Sequence, residues 1–190
     1  MAYKYITTET KDRIFILTID RPDVMNAISP AASHEMADAL DKFEADDDLW
    51  VAIITGAGDV AFCSGGDISE MAKAKTNEDY QMPDTGYGGM TRRTGCYKPI
   101  IAAVNGIAFG GGFEVALASD LIIASDNASF GLPEPKIGTA AVAGGIHQLT
   151  RQIGLKPAMS ILLLARTVKA EEAFALNIVN QVVPSDELMN

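Results

Sequence analysis

Two short stretches of this chain set glycines and a carboxylate where a strand would run into a helix. In AFGGGFEVALASD (108–120), Gly110, Gly111 and Gly112 precede a helix-like run whose first turn holds Glu114. In IITGAGDVAFCSGGDISEM (53–71), Gly65 and Gly66 stand just before Asp67, a residue suited to cap a short helix reaching Met71. Consecutive glycines give up side-chain packing and carry a large ordering entropy, so they call for a reason. One reason is access. The first amides of a helix lack internal partners and sit at its positive end. Without a side chain in the way, another molecule can reach them. Two such amides aimed at one oxygen stabilise negative charge that develops on it. The other reason is close packing of helix on strand. One cluster alone does not choose between the two, and the pair of clusters favours the first.

A second acid follows Glu114 in FGLPEPKIG (130–138), where Pro133 and Pro135 hold the backbone on both sides of Glu134. Paired carboxylates in unequal environments do acid–base work, one keeping a proton while the other does not. An acid in a first helical turn is also an ordinary partner of the helix dipole, and spacing alone does not bring the two acids together. Three other readings are weaker. GAGDVA (56–61) matches a dinucleotide fingerprint but runs into FCSGGD instead of opening a helix, which counts against an NAD-dependent oxidoreductase. Cys63 or Ser64 as nucleophile would need His34 or His147 as base, and both histidines fall in ordinary amphipathic helical stretches. Glu70 and Asp46 to Asp48 lack metal-ligand spacing, so no metal is expected.

The elements that must position these residues alternate. YKYITTETKDRIFILTID (3–20) predicts a β-hairpin turning near Lys11 and Asp12. SPAASHEMADALDKFEAD (29–46) predicts a helix capped by Ser29, with Pro30 at its first position and a stripe of Met36, Ala39, Leu40 and Phe43. LWVAIITG (49–56), KPIIAAVNG (98–106) and LIIAS (121–125) read as buried strands. Strands alternating with helices give an α/β fold with parallel pairing. The polar, glycine-rich stretch 75–95 reads as a mobile loop. The last third reads as mainly helical, punctuated by Gly154 and Pro157, and PSDELMN as the first turn of a further helix capped by Ser185. That ending suggests a C-terminal helical part beyond residue 190.

The chain has 190 residues, 48% hydrophobic and 21% charged, which suits one globular domain with a sizeable core. A net charge of −10 argues against nucleic acid, whose phosphates need Lys and Arg. No apolar run reaches the roughly 20 residues that span a bilayer. With two cysteines and a polar start, a cytoplasmic protein, or one of an organelle matrix, is expected.

At the residues above, the chain resembles the crotonase superfamily of enoyl-CoA hydratases and isomerases. The matching stretches are RPDVMNAIS (21–29), IITGAGDVAFCSGGDI (53–68), KPIIAAVNGIAFGGGFEVALASD (98–120), FGLPEPKIG (130–138), AGG (143–145) and ARTVKAEEAFALNIVNQVVP (165–184). They span nearly the whole chain. The resemblance implies a spiral of ββα turns with stacked sheets, and C-terminal helices that build trimers or hexamers. It implies an acyl-CoA substrate whose thioester oxygen meets the amides of Gly66 and Gly111. Glu114 would activate water, and Glu134 would supply the α-carbon proton. Coenzyme A would lie along Met25, Asn26 and Ala27, with Asp67, Ile68 and Ser69 lining the thioester region. It would be part of the substrate, and no further cofactor is implied. Double-bond isomerisation, dehydration of a 3-hydroxyacyl-CoA of the carnitinyl-CoA kind, and silent acyl-CoA binding remain alternatives. One departure stands out: where such hydratases read GTIPGAGG, this chain reads GTAAVAGG, with Ala141 and Val142 in place of Pro and Gly. Valine there keeps the amide that would help hold the water and adds a branched side chain.

Overall fold

The computed structural model describes residues 2–76 and 80–190. Among the described residues its frame is one sheet of six strands and a smaller one of four. β1 (Ile6–Lys11) and β2 (Ile14–Ile19) form the expected antiparallel hairpin. Asp12 turns it with a left-handed φ of 54°. On β2, Phe15, Leu17 and Ile19 point inward and alternate with half-buried neighbours, the two-residue period of a strand with one covered face. α1 (Pro30–Ala45) starts as its sequence dictates, with the Ser29 side chain accepting from the Ala32 amide at 3.2 Å. The predicted stripe of Met36, Ala39, Leu40 and Phe43 is fully buried, and Phe43 stacks on Phe15 of β2.

Three strand pairs follow one another as turns of a spiral. β3 (Val51–Gly56) feeds β4 (Ala61–Cys63) and then α2 (Ile68–Lys73). β5 (Ile100–Val104) feeds β6 (Ile107–Phe109) and then α3 (Gly111–Leu117). β7 (Leu121–Ser125) feeds β8 (Ser129–Gly131) and a short 3-10 turn, Glu134–Ile137. Each turn gives its first strand to the large sheet and its second to the small one, and all these neighbours pair in parallel. This is the ββα spiral expected from the resemblance. Corners between the layers are tight: a Cβ on Gly106 would stand 2.3 Å from the Val60 carbonyl oxygen. GAGDVA therefore lies on the β3–β4 corner and opens no helix.

The C-terminal third corrects the sequence reading in three places. α4 (Gly145–Ile153), α5 (Leu155–Leu164) and α6 (Ala170–Ala175) are helical, but β9 (Val168–Lys169) and β10 (Gln181–Val183) return the chain to the two sheets. β10 pairs in parallel with Ile123–Ser125 of β7, a long-range choice that the local apolar pattern does not encode. Gly154 separates α4 from α5, whereas Pro157 sits in the first turn of α5, where a missing N–H costs nothing. Ser185 caps no helix; it opens a 3-10 turn of three residues.

The stretch read as a mobile loop is also corrected in part. Residues 77–79 of it lie outside the described residues. Tyr87, Gly88, Gly89 and Met90 are buried, packed on α1. The Gly88 amide donates to Ser33 Oγ at 3.1 Å, and Arg93 donates to the carbonyls of Gly89 and Ala37. A Cβ on Gly89 would stand 2.6 Å from the Ala37 amide nitrogen, at a φ of 68°. Helix backbone cannot retreat from it. Gly89→Ala is therefore expected to cost more than ~2 kcal/mol, from overpacking and left-handed strain together. Gly138→Ala, left-handed at φ 72° with nothing within 4 Å of its Cβ, carries the strain alone. A lower urea midpoint for Gly89→Ala than for Gly138→Ala, at unchanged slope, checks this; equal midpoints would mean that the segment is not docked.

Candidate active site

β4 and β6 pair through Cys63 and Ala108, so the two glycine clusters that follow them emerge side by side. Gly65 adopts φ 110°, and a Cβ there would lie 3.0 Å from the Phe109 carbonyl oxygen and 3.5 Å from the Gly111 nitrogen. Gly110 adopts φ 52°, ψ −127°, a conformation that side chains resist. Its amide is tied to the Gly131 carbonyl at 2.9 Å. The amides of Gly66 and Gly111, both half-buried, donate to none of the described residues. Two free donors on adjacent loops form the arrangement that an oxyanion needs.

Both readings of the triple glycine hold, at different positions. Gly112 is there for packing, since its Cβ would stand 2.1 Å from the Cys63 carbonyl oxygen. Gly111 lies under the Tyr87 ring, whose carbons would be 2.4 and 2.5 Å from a Cβ. Any side chain at Gly111 thus displaces Tyr87 before it disturbs a ligand. Cys63 is fully buried and its thiol is pushed up to about 12 by burial, so it does not serve as a nucleophile. His34 and His147 are exposed on α1 and α4.

A buckle formed by residues 21–28 holds the Gly65–Asp67 loop. Ile28 donates to the Gly65 carbonyl at 2.9 Å and accepts from the Asp67 amide at 3.1 Å. Arg21 reaches the Asp67 carboxylate at 2.8 Å and also the Ala27 carbonyl. Burial would raise the Asp67 carboxyl, but hydrogen bonds from Ser69 and Arg21 outweigh it and hold the group down at about 2. Asp67 caps α2 as the sequence predicted, accepting from Ser69 and Glu70. Asn26 is buried, and its amide group donates to the Ala57 and Ala61 carbonyls. Ala27 is buried, while Met25, Ile68 and Ser69 are exposed on the same rim. The structure therefore brings 25–27 and 67–69 together, with the Asn26 side chain spent on the fold. Sequence reading missed the part played by Arg21, because its partner lies 46 residues away.

The two acids also meet this site. Glu114 is 4% exposed and accepts from the Gly145 amide at 2.9 Å. Burial pushes its carboxyl up to about 7, opposed by the amides of Gly145 and Ala143 and aided by the charge of Glu134. Burial likewise raises Glu134, whose Oε2 is buried without a partner among the described residues. Its Oε1 lies 3.3 Å from where a Cβ on Gly110 would stand, which places this acid over the glycine junction. The AGG stretch thus supplies the Gly145 and Ala143 amides that orient Glu114, a role that only the folded chain reveals. The Val142 amide donates to the Ala140 carbonyl at 2.8 Å and is not free to hold a water. The Val142 side chain is 78% exposed and does not crowd the acids, whereas Ala141 is buried against Gly145.

Two cavities adjoin these groups. One of about 680 Å³ is bounded by Tyr80, Tyr87, Arg92, Val142 and Ala143. The other, about 270 Å³ and apolar, lies beside Glu134 among Leu132, Ala141, Ile146, Met159 and Leu163. The first runs from Tyr87, whose ring lies over Gly111, to Ala143, whose amide meets Glu114.

The enoyl-CoA hydratase/isomerase family model matches residues 9–190. A carnitinyl-CoA dehydratase of Proteus mirabilis is 42% identical over 181 residues, covering 95% of this chain and 69% of that protein. A short-chain-enoyl-CoA hydratase of Clostridium acetobutylicum is 38% identical over 190 residues, covering 100% of this chain and 73% of that protein. The crystal structure of a carnitinyl-CoA hydratase from Mycobacterium avium superposes with a TM-score of 0.91 at 40% identity, over 97% of this chain and 70% of that one. A match that runs from Glu9 to the last residue, with solved structures superposing this closely, leaves one conclusion: the chain belongs to the enoyl-CoA hydratase/isomerase family.

Proposed function

We propose that this protein is a hydro-lyase that adds water across the double bond of a 2-enoyl-CoA thioester. The observation that carries the reading is the meeting of two amides, unpaired among the described residues, with the buried carboxyl of Glu114 and the half-buried one of Glu134. The Gly66 and Gly111 amides hold the thioester oxygen and stabilise the enolate that forms as water attacks the β-carbon. Glu114, oriented by Gly145, takes one proton from that water. Glu134 delivers its proton to the α-carbon, so the product gains a hydroxyl and a hydrogen, and proton exchange between the acids resets the site. Run backwards, the same steps dehydrate a 3-hydroxyacyl-CoA. The similarity to carnitinyl-CoA dehydratases favours that direction as the second reading.

The reaction as proposed needs no metal or redox cofactor, and coenzyme A is the substrate's handle. Met25, Asn26 and Ala27 would meet it through the backbone, alongside Asp67, Ile68 and Ser69. Among the described residues no helix is long and apolar enough to cross a membrane. We assign the activity to the cytoplasm, which suits the free thiols of Cys63 and Cys96. A homotrimer or homohexamer is proposed as well, supported by the exposed Leu155, Met159, Leu163 and Leu164 of α5.

Two outcomes test the acids. Glu114→Gln and Glu134→Gln should each lower the hydration rate by ~10²–10⁴, the worth of an acid–base group. Because the groups act as a unit, the double variant should fall little further. Stopped-flow loss of the conjugated thioester absorbance decides, and a mild Glu114→Gln phenotype would contradict hydration.

The second outcome concerns pH. The native Glu114 carboxyl, at about 7, lies above its unfolded value, so between roughly pH 4.5 and 7 the native state binds the extra proton. Stability from this group therefore falls as pH rises through that window. Glu114→Gln should flatten the slope of melting temperature there and melt above the unsubstituted protein at pH 8. Parallel pH curves for the two proteins would refute the burial of an ionisable Glu114.

A further inference from the structure

Tyr80 and Tyr87 bring their hydroxyls to the same spot, 3.7 and 4.0 Å from the point where a Cβ on Gly66 would stand. They differ in what they bond. Tyr87 is buried and its hydroxyl donates to the Ile28 carbonyl at 3.3 Å, tying the docked segment to the buckle. The Tyr80 hydroxyl is buried too, yet it has no hydrogen-bond partner among the described residues. A buried hydroxyl without a partner is destabilising, and native structures rarely leave one unexplained.

Among the described residues the polar groups near Tyr80 are engaged elsewhere. Asp67, the nearby carboxylate, is already engaged by Arg21, by the Ser69 hydroxyl and by the amides of Ser69 and Glu70. The nearest other group at Gly66 is the Met71 methyl, which accepts no hydrogen bond. Burial and the charges of Asp67 and Glu70 raise the phenol, so it stays a protonated donor at neutral pH. Tyr80 also lines the cavity of about 680 Å³ that runs between Tyr87 and Ala143, along with two smaller ones, next to Met71 and next to Arg21. A donor in that position is open to an acceptor that a ligand carries.

We propose that the Tyr80 hydroxyl donates to a carbonyl oxygen of bound acyl-CoA, beside the Gly66 amide. This rests on the acyl-CoA reading of the site. Two carbonyls of the substrate share that chemistry, the thioester and the pantetheine amide nearest it. Kinetics separate them. A bond to the thioester oxygen strengthens as charge develops, so its loss lowers kcat; a bond to the amide is the same throughout, so its loss raises KM.

Tyr80→Phe removes the one oxygen and nothing else. Binding of saturated butyryl-CoA, by calorimetry, should weaken about five-fold, the usual worth of one such bond. Melting temperature should stay level or rise, because the variant buries no unpaired hydroxyl. Tyr87→Phe, which breaks the Ile28 bond, should melt lower and so shows what a structural hydroxyl looks like in the same assay. Unchanged affinity for butyryl-CoA in Tyr80→Phe, or a melting temperature lowered as far as that of Tyr87→Phe, overturns the proposal, as does a lack of butyryl-CoA binding by the unsubstituted protein. If the unsubstituted protein binds butyryl-CoA but hydrates no enoyl-CoA, the hydratase reading fails, and the affinity ratio still decides on Tyr80.

Discussion

The site depends on one constraint: β4 and β6 lie next to each other in the small sheet and end side by side, Cys63 opposite Ala108. Their pairing sets Gly65 against Phe109 and Gly111, at distances that leave no room for a side chain. Backbone amides usually find partners as soon as a chain folds. Here the same turns that bring the strands to an end leave Gly66 and Gly111 unpaired among the described residues, and the sheet holds the two donors close together. The glycine entropy is spent on that geometry. Everything else braces it: the Arg21–Asp67 ion pair from one side, Tyr87 from above, and the Gly110 bond to β8 from beneath.

The spiral explains why both acids reach this point. Glu114 follows β6 and Glu134 follows β8, neighbours in the small sheet, so each of these two turns adds a carboxyl at the same edge. Their environments then do the tuning. Glu114 is sealed under the loop that carries Ala143 and Gly145, which raises its carboxyl toward neutrality while two amides keep its ionised form accessible. Glu134 keeps one oxygen unpaired. Groups left in this state weaken the fold and suit a site whose partner arrives with the ligand.

Local signals in the sequence were sufficient wherever the physics is local. The Ser29–Pro30 start of α1, the hairpin, the Asp67 cap and the helix after the triple glycine follow from residue types and spacing. The resemblance, carried by motifs, supplied the spiral and the pairing of Glu114 with Glu134. What failed to show were contacts made across the chain. QVV reads like more helix until β7 offers it an edge, and the loop containing Tyr87 reads as solvated until α1 covers it. The Val142 departure looked like a change in the water site. Its amide is instead consumed by Ala140, and its side chain points outward. Arg21 was visible as part of a motif, but nothing nearby in the chain announces that it holds Asp67. Tyr80 carries no motif at all, and its interest comes from a bond that it does not make.

The most direct measurement is the polarisation of the bound thioester, because in the proposed site the Gly66 and Gly111 amides meet its oxygen before any chemistry begins. Butyryl-CoA labelled with carbon-13 at the carbonyl should show a downfield carbonyl resonance when it binds, and the displacement should persist in Glu114→Gln and Glu134→Gln. A carbonyl that binds with its resonance where it stands in water would contradict the central claim.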